Sequence, residues 1–319
     1  MSAAHEDSKF AQVAQKIVPH SKLLRARPLT GGISAQVTAL EIERPDGQRQ
    51  KLLVRQHGEV DRAHNSQIAA DEFKLLFLLR VAGIAVPMPC YLDQSGEIFD
   101  APYLVLEYVE GETEFAPANM ADFLLQFAAQ LARIHQVAGA ATGLSFLPKI
   151  EDRYAQLLRE PLASVEESEA AARIRAVLDA VWPLSQRSSS VLLHGDFWPG
   201  NLLWRDGQLA AVIDWEDAAV GDPLADVANS RLELLWAFGI DAMQRFTEQY
   251  QALTTIDWAN LPYWDLYAAL RLARFAEWAT DADAAQLMRA RHRWFIAQAL
   301  ERIAGFQREP CSEQGRLSG

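Results

Sequence analysis

The sequence has few cysteines, no long apolar run and a deficit of positive charge. Its 319 residues include two cysteines, Cys90 and Cys311, and neither stands in a Cys-x-x-Cys or Cys/His spacing. This excludes a disulfide framework and a cysteine-ligated zinc site. No stretch approaches the roughly 18 apolar residues that a membrane span requires. The formal net charge is −12, whereas nucleic-acid-binding surfaces are normally basic. We therefore expect neither a membrane span nor a nucleic-acid partner.

The remaining composition is that of an ordinary globular enzyme. The chain is 50% hydrophobic and 23% charged, and its length suits one large domain or two lobes around a cleft. The first residues, MSAAHEDSKFAQ, contain no apolar core and do not resemble a signal peptide, so we expect a cytoplasmic protein. The acidic balance is compatible with a cationic substrate and also with a simply acidic cytosolic enzyme.

The first third of the chain has the pattern of an antiparallel meander. A short helix is predicted at residues 7–18, and Gly31-Gly32 and Pro45-Asp46-Gly47 mark turns between the strands that follow. Apolar residues at helical spacing predict an amphipathic helix over residues 66–82. We expect these elements to form an N-terminal lobe over residues 1–110. Its strands are predicted at residues 23–30, 35–43, 50–57, 91–92 and 103–109.

The rest of the chain is rich in alanine and leucine at helical spacing, which predicts a mostly helical C-terminal lobe over residues 111–306. The expected class is therefore α+β. Residues 307–319 are polar and aperiodic, and we expect them to form a disordered tail. Helices are predicted at residues 118–138, 169–186, 224–238, 241–253, 262–280 and 282–306, and short strands at 191–194, 202–204 and 209–214.

Residues 191–214 contain two apolar strands that each lead to an aspartate. The first strand runs into His194-Gly195-Asp196, and Asn201 follows five residues later. The second, at residues 209–213, delivers Asp214. Two strands that end in this way can bring two carboxylates to one edge of a cleft.

These residue types suit phosphoryl transfer, in which catalysis is mostly positioning and neutralisation of negative charge. Magnesium prefers oxygen donors and often uses one or two protein ligands beside phosphate oxygens, for which Asn201 and Asp214 are suitable. Asp196 is suited to hold an acceptor hydroxyl and take its proton. The alternative is that each aspartate ends its strand by chance and caps a helix. The complete set favours the chemical interpretation.

The stretch HGDFWPGN followed by IDWEDAAVGDPLADVA resembles the aminoglycoside phosphotransferase / choline-kinase-like family. The pattern of that family, H-G-D-x-x-x-x-N, then I-D-[WF], then G-D-P-x-x-D, is met in full. The resemblance implies a bilobal protein-kinase-like fold and transfer of a phosphoryl group from ATP. It implies Asp196 as the catalytic base, Asn201 and Asp214 as ligands of Mg²⁺, and His194 as a structural residue of the catalytic loop.

The first two strands flank Gly31, Gly32 and Ser34, where the family places its nucleotide-binding loop. Glycine lets backbone amides approach phosphates closely, although a Gly-Gly pair is also typical of an ordinary hairpin turn. The segment 103–111 matches the hinge of the family. There the adenine edge is expected to bond to the Glu107 carbonyl and the Val109 amide.

The third strand carries Arg55 where protein kinases have a lysine. Glu72 on the predicted helix is the natural partner, because the neighbouring Asp71 would face about 100° away on an ideal helix. Arginine remains charged and can bind two oxygens at once, so we expect a nucleotide-binding pair. The alternative is a surface arginine beside a solvated acidic face.

Three further residues of the family pattern are interpreted as structural. They are His135, expected to support the catalytic loop by packing, and Asp222 and Asp226, expected at a helix start where carboxylates favour the N-terminal dipole. Glu216 and Asp217 follow Asp214 closely, and either tune the metal site, contact a cationic substrate or lie in a solvated loop.

The acceptor is expected to be a small molecule with a hydroxyl group, bound between the catalytic loop and the C-terminal helices. Acidic and aromatic residues there can hold a cation, although aromatics at helical spacing are also typical of a core. Nothing in the sequence selects among aminoglycosides, macrolides, choline and homoserine. The candidate acceptor residues are Glu216, Asp217, Glu233 and Trp278.

Two other functions are considered. A nucleotide-binding pseudokinase would be favoured by the loss of Asp196, Asn201 or Asp214, and all three are present. A nucleotide-independent hydrolase is not supported, because the sequence has no Gly-x-Ser-x-Gly motif. Neither the oligomeric state nor the preference between ATP and GTP follows from the sequence.

Overall fold

The computed structural model describes residues 3–29, 35–137, 143–159, 165–273 and 281–308. The chain forms two compact units. The first comprises the residues up to Thr113 together with Leu202–Glu216, and the second comprises Glu114–Asn201 and the residues from Asp217 onwards. The sequence predicts a boundary at residues 110/111 and assigns residues 111–306 to one lobe, with a tail at 307–319. In the structure, the segment Leu202–Glu216 instead packs with the first unit.

The first unit contains a five-stranded antiparallel sheet in the order β1-β2-β3-β5-β4. The five strands predicted for this part of the chain are therefore confirmed. The turn between β2 and β3 contains Gly47 at a φ of +80°, a left-handed conformation that glycine adopts without steric cost. The strands are β1 Lys22–Leu29, β2 Ala35–Glu43, β3 Arg49–His57, β4 Pro89–Asp93 and β5 Tyr103–Glu107.

Three helices accompany this sheet: α1 Ala3–Ile17, α2 Glu59–His64 and α3 Ile68–Val81. Residues of α1 share a buried core with alternate positions of β2 and β3, as the two-residue period of a strand requires. The six-residue α2 is too short to give a periodic pattern. The core members used in this contact are Phe10, Val13, Leu40, Ile42, Leu52 and Val54.

A hairpin of β7 Leu202–Arg205 and β8 Gln208–Val212 completes the first unit. Backbone hydrogen bonds attach it on both sides. Glu112 and Trp204 exchange N–H···O bonds of 2.9 and 2.8 Å, and the Val212 amide donates to the Ala85 carbonyl at 2.8 Å. These bonds tie the hairpin to Ala85 and Glu112 of the first unit.

The second unit is mostly helical and has a two-stranded antiparallel sheet of β6 Val191–Leu193 and β9 Ala219–Gly221. Phe127 is buried in this unit. Its ring centroid lies 4.7 Å from that of Phe197 and 5.4 Å from that of Phe246, in edge-to-face contacts. The helices are α4 Met120–His135, α5 Ile150–Arg159, α6 Val165–Asp179, α7 Leu224–Phe238, α8 Ile240–Leu253, α9 Leu261–Arg271 and α10 Ala282–Arg308.

Several predicted elements reach beyond the described residues. The helix predicted at 262–280 corresponds to α9, and residues 274–280 lie outside the described part of the chain. The tail predicted at 307–319 begins inside α10, which continues to Arg308, and residues 309–319 are not described. Among the described helices, none has both the length and the apolarity needed to cross a bilayer.

Candidate active site

The loop between β6 and β7 is held by a carboxylate from the first turn of α7. Asp226 accepts hydrogen bonds from the backbone amides of His194 and Gly195 at 2.7 and 2.8 Å. The His135 Nε2 lies 3.2 Å from Asp226, and the Tyr250 hydroxyl bonds to His135 Nδ1. Burial disfavours the charged form of Asp226, but the bonds from His135 and the Gly195 amide hold its pKa below the ordinary value. Asp226 therefore fixes the loop as a buried anion.

Gly195 has a backbone that only glycine can adopt at this place. Its φ is +85°, and an added Cβ would lie 1.8 Å from the Asp217 carbonyl oxygen. The loop thus passes in direct contact with the segment that follows β8 in sequence. This close approach brings Asp217 into the neighbourhood of Asp196.

Asp196 is half-buried, with 27% of its side chain exposed, and both carboxylate oxygens have a donor. Asn201 Nδ2 lies 3.1 Å from Oδ2 and also binds the Asp196 carbonyl at 2.9 Å. Arg271 Nη2 donates to Oδ1 at 2.9 Å. Burial raises the pKa of Asp196, the nearby charge of Asp217 raises it further, and Arg271 opposes the rise. The carboxylate is therefore held in one orientation.

Arg271, the last residue of α9, binds four acceptors in the second unit. Its Nη1 donates to the Gly195 carbonyl at 2.6 Å and to Asn229 Oδ1 at 3.1 Å. Its Nη2 binds Asp196 and lies 3.5 Å from Asp217 Oδ2. Arg153 binds the other oxygen of Asp217 at 3.2 Å. No sequence motif identifies Arg271, which is 75 residues from Asp196.

Glu233, on α7, is a half-buried acid whose charge is suppressed. Burial and the negative charge of Asp196 raise the pKa of Glu233 from 4.5 to about 8, against the opposing effect of Arg271. At neutral pH the group is mostly a neutral carboxylic acid, and in that form it can donate a hydrogen bond.

Arg55 is the centre of a buried charge cluster in the first unit. The ion pair with Glu72 that the strand register predicts is present, with Nε 3.2 Å from Oε2. Nη2 donates to Asp214 Oδ1 and to Glu216 Oε2, each at 2.6 Å. His57 Nε2 lies 2.7 Å from Glu72 Oε2. Burial opposes ionisation of Glu72, but the charge of Arg55 and the contact with His57 lower its pKa.

The turn after β8 allows two acids that are close in sequence to bind the same arginine. Asp214 has a φ of +65°, a left-handed conformation that is uncommon outside glycine but better tolerated by aspartate than by most residues. Trp215 is buried and donates from Nε1 to the Val212 carbonyl at 3.2 Å. The turn brings Asp214 and Glu216 to the same nitrogen of Arg55, while Asp217 belongs to the second unit.

The other predicted nucleotide and acceptor residues divide into two groups. Gly31, Gly32, Ser34 and Trp278 lie outside the described residues. Glu107, at the end of β5, exchanges hydrogen bonds with the Met88 backbone through its amide at 2.9 Å and its carboxylate at 3.2 Å. Val109 is half-buried just beyond β5.

The donor chemistry of Asn201 and Asp214 fits a hard cation such as Mg²⁺. Asn201 uses Nδ2 in both of its bonds to Asp196, so its carbonyl oxygen is the atom that faces away from that interaction. Asp214 binds Arg55 through Oδ1, and Oδ2 is the second potential donor. Within the described ranges, no group of three or more His, Cys, Asp or Glu side chains is arranged to hold a metal.

The first unit has a five-stranded antiparallel sheet, on which a strand arginine is paired with a helix glutamate. The second unit is mostly helical and carries the His-Gly-Asp loop. These features define a protein-kinase-like phosphotransferase fold. The model of the phosphotransferase enzyme family matches residues 25–264. The chain belongs to this family.

The chain is also similar to individual proteins whose names differ from one another. The chain is 28% identical over 190 residues to acyl-CoA dehydrogenase family member 10 of Mus musculus, covering 56% of this chain and 18% of that protein. It is 29% identical over 224 residues to stress response kinase A of Salmonella choleraesuis (strain SC-B67), covering 63% of each. The structure of amicoumacin kinase hAmiN, in complex with AMP-PNP, Ca²⁺ and Ami, superposes with a TM-score of 0.67 at 15% identity over 92% of this chain and 95% of that one. The chain thus spans less than two thirds of the length of these curated relatives.

Proposed function

We propose that this protein transfers the γ-phosphoryl group of ATP to a hydroxyl group of a small molecule in the cytoplasm. The observation that carries the proposal is the half-buried Asp196, oriented at both oxygens by Asn201 and Arg271. A carboxylate held in this way can accept a hydrogen bond from an alcohol and direct its oxygen at a phosphorus atom. Membership of the phosphotransferase enzyme family supports the same conclusion.

Asp196 would act on the acceptor. As the new bond forms between the acceptor oxygen and the γ-phosphorus, the hydroxyl proton passes to Asp196, and the bond from the γ-phosphorus to the β–γ bridging oxygen breaks to release ADP. The transition state of this reaction is loose, so orientation of the hydroxyl matters more than strong basicity. This is consistent with a base that has an arginine as its neighbour.

The nucleotide is proposed to bind through residues that carry donors or backbone groups. Asn201 and Asp214 would hold Mg²⁺, which neutralises phosphate charge when bound. Arg55, fixed by Glu72, would bind phosphate oxygens. The backbone groups proposed for the phosphates and the adenine belong to Gly31, Gly32, Glu107 and Val109, with the Ser34 hydroxyl as a further donor.

The acceptor is proposed to meet Asp217 and Glu233, the acids that share a unit with Asp196 and lie within its electrostatic influence. Trp278 remains a proposal for the same role. Glu216, also proposed from the sequence, is bound by Arg55, which suits control of Arg55 better than acceptor binding. A partly cationic acceptor is compatible with the acids, and a neutral one is compatible with the protonated state of Glu233.

An ATP-consumption screen tests the proposal. Purified protein with Mg-ATP is incubated with amino alcohols, sugars, aminoglycosides, macrolides and homoserine, and ADP formation is followed. We expect at least one hydroxyl compound to stimulate ADP release and to gain a phosphate by mass spectrometry. Asp196→Ala should lower kcat by about 10²- to 10⁴-fold, the usual contribution of a general base, and should leave the Kd for Mg-ATP largely unchanged.

The alternative is a nucleotide-binding module without transfer activity. It predicts that wild-type protein binds Mg-ATP while no compound in the screen is phosphorylated and the slow hydrolysis of ATP is absent. That result would favour the module and count against a kinase.

A further inference from the structure

Arg271 lies at the end of a helix that buried contacts hold in place. Arg271 ends α9, whose Asp265 is fully buried and binds Arg231 through two hydrogen bonds of 3.0 and 3.1 Å. Trp264 on the same helix donates from Nε1 to Asp222 at 3.0 Å. These contacts fix the helix, and Arg271 therefore extends from a backbone position that is well defined. Groups presented by fixed helices are placed more accurately than groups on loops.

The guanidinium joins three separate segments of the second unit. One nitrogen binds the Gly195 carbonyl of the catalytic loop and Asn229 of α7, and the other binds Asp196 and lies near Asp217 after β8. The side chain of Arg271 is 25% exposed, so it is largely shielded but can be reached by a small ion from solvent.

We propose that Arg271 is a positioning residue for phosphoryl transfer, which clamps the Gly195–Asp196 backbone and side chain so that Asp196 presents one fixed oxygen to the acceptor hydroxyl. This inference rests on the proposed function. Asn201 restrains Oδ2 and Arg271 restrains Oδ1, so the carboxylate cannot rotate without breaking a bond at either side. Arg271 acts through Asp196 and does not itself contact the transferred group.

The shape of the guanidinium is required as well as its charge. Arginine presents several N–H groups in a planar fork, whereas lysine is a compact point charge. Lysine at this position could neutralise Asp196 or bind Gly195, but it could not reproduce the bonds to Gly195, Asn229 and Asp196 together. A purely electrostatic role would be restored by lysine, while a positioning role would not.

The experiment compares Arg271→Lys, Arg271→Ala and wild type with Mg-ATP and the hydroxyl compound that gives the highest turnover in the screen. We expect Arg271→Ala to lower kcat by about 100-fold, the scale of a misplaced reacting group, with the KM for ATP changed less than threefold. Arg271→Lys should recover only a small part of kcat. Added guanidinium chloride at low millimolar concentration should partly restore kcat of Arg271→Ala, with sodium chloride as the ionic control.

Arg187→Ala is the matched control, because it removes an arginine–aspartate pair in the same unit that has no part in holding Arg271 or Asp196. It should leave kcat unchanged. Wild-type kcat in Arg271→Ala would overturn the proposal. So would full recovery by lysine, or an equal loss of kcat in Arg187→Ala.

Amide hydrogen exchange separates this inference from the proposed function. We expect exchange at residues 195 and 196 to be faster in Arg271→Ala than in wild type, and unchanged in Arg187→Ala. If wild type phosphorylates nothing, the proposed function fails, and the exchange rates alone decide whether Arg271 clamps the loop. Unchanged exchange in Arg271→Ala would overturn the clamp even in an active enzyme.

Discussion

His57 places its Nε2 2.7 Å from Oε2 of Glu72, the same oxygen that lies 3.2 Å from Arg55 Nε. Both side chains are buried. His57 follows Arg55 by two residues on β3, so the two side chains leave the same face of the strand and meet one carboxylate. Glu72 is therefore held by two partners, of which the sequence motif names only one.

The first prediction concerns this contact. His57→Leu removes one partner of a buried carboxylate, so the free energy of unfolding should fall by about 1–3 kcal/mol, the cost of leaving a buried polar group with less compensation. Urea denaturation measures the change. His64→Leu, at an exposed histidine of α2, is the control, and equal losses in both variants would contradict the role of His57.

The second prediction concerns Arg55. Its guanidinium serves Glu72, Asp214 and Glu216, and lysine cannot reproduce this geometry. Arg55→Lys should therefore raise the Kd for Mg-ATP about tenfold, the equivalent of one lost charge-assisted hydrogen bond. Isothermal titration calorimetry measures it. Arg49→Gln, which removes the exposed pair with Glu41, should leave that Kd unchanged, and a similar effect of both variants would argue against a specific role of Arg55.

The third prediction uses two glycines that have similar positive φ angles and different surroundings. Gly195→Ala would force a Cβ against the Asp217 carbonyl, whereas a Cβ at Gly47, at a φ of +80°, meets nothing within 4 Å. Gly47→Ala should cost about 1 kcal/mol from its backbone alone. Gly195→Ala should cost clearly more and should also reduce kcat. Thermal unfolding and steady-state kinetics test this, and equal stability of the two variants would show that the loop yields at no cost.

The fourth prediction concerns pH. The pKa of Glu233 is about 8 in the folded protein against an ordinary 4.5, so the folded state binds the proton more tightly than the unfolded state. The stability due to this group is present at acid pH, decreases as the pH rises above 4.5, and is lost above 8. Glu233→Gln removes that dependence. Its stability relative to wild type should rise between pH 6 and pH 9 in urea titrations, and a constant difference would contradict the shifted pKa.

The sequence predicts the fold well where its signals are local. The Asp196, Asn201 and Asp214 spacing, the turn glycines and the strand register of Arg55 each depend on a few neighbouring residues. Long, periodic helices such as α7 are predicted to within a residue. Short elements are missed: the six-residue α2 and the three-residue β9 are not predicted, because a few residues give no measurable period. The ten-residue α5 is also not predicted.

The contacts that complete the candidate site are not predictable in this way. Arg271 reaches Asp196 across 75 residues, and Asp226 reaches His194 across 32. Such contacts depend on how helices pack, which no local pattern encodes. Glu216 illustrates the same limit: its approach to Arg55 depends on the left-handed backbone of Asp214, and that conformation has no signature in the residue types alone.

The β7–β8 hairpin has a consequence for recombination between homologous genes. Because the first unit takes Leu202–Glu216 from the middle of the chain, it cannot be exchanged between homologous genes as one continuous segment. A crossover near residue 113 would deliver a foreign Arg55 and Glu72 to a resident Asp214 and Glu216. The charged residues of the two parent proteins must therefore be compatible at these four positions, or change together, for a chimeric protein to keep the four-residue charge cluster.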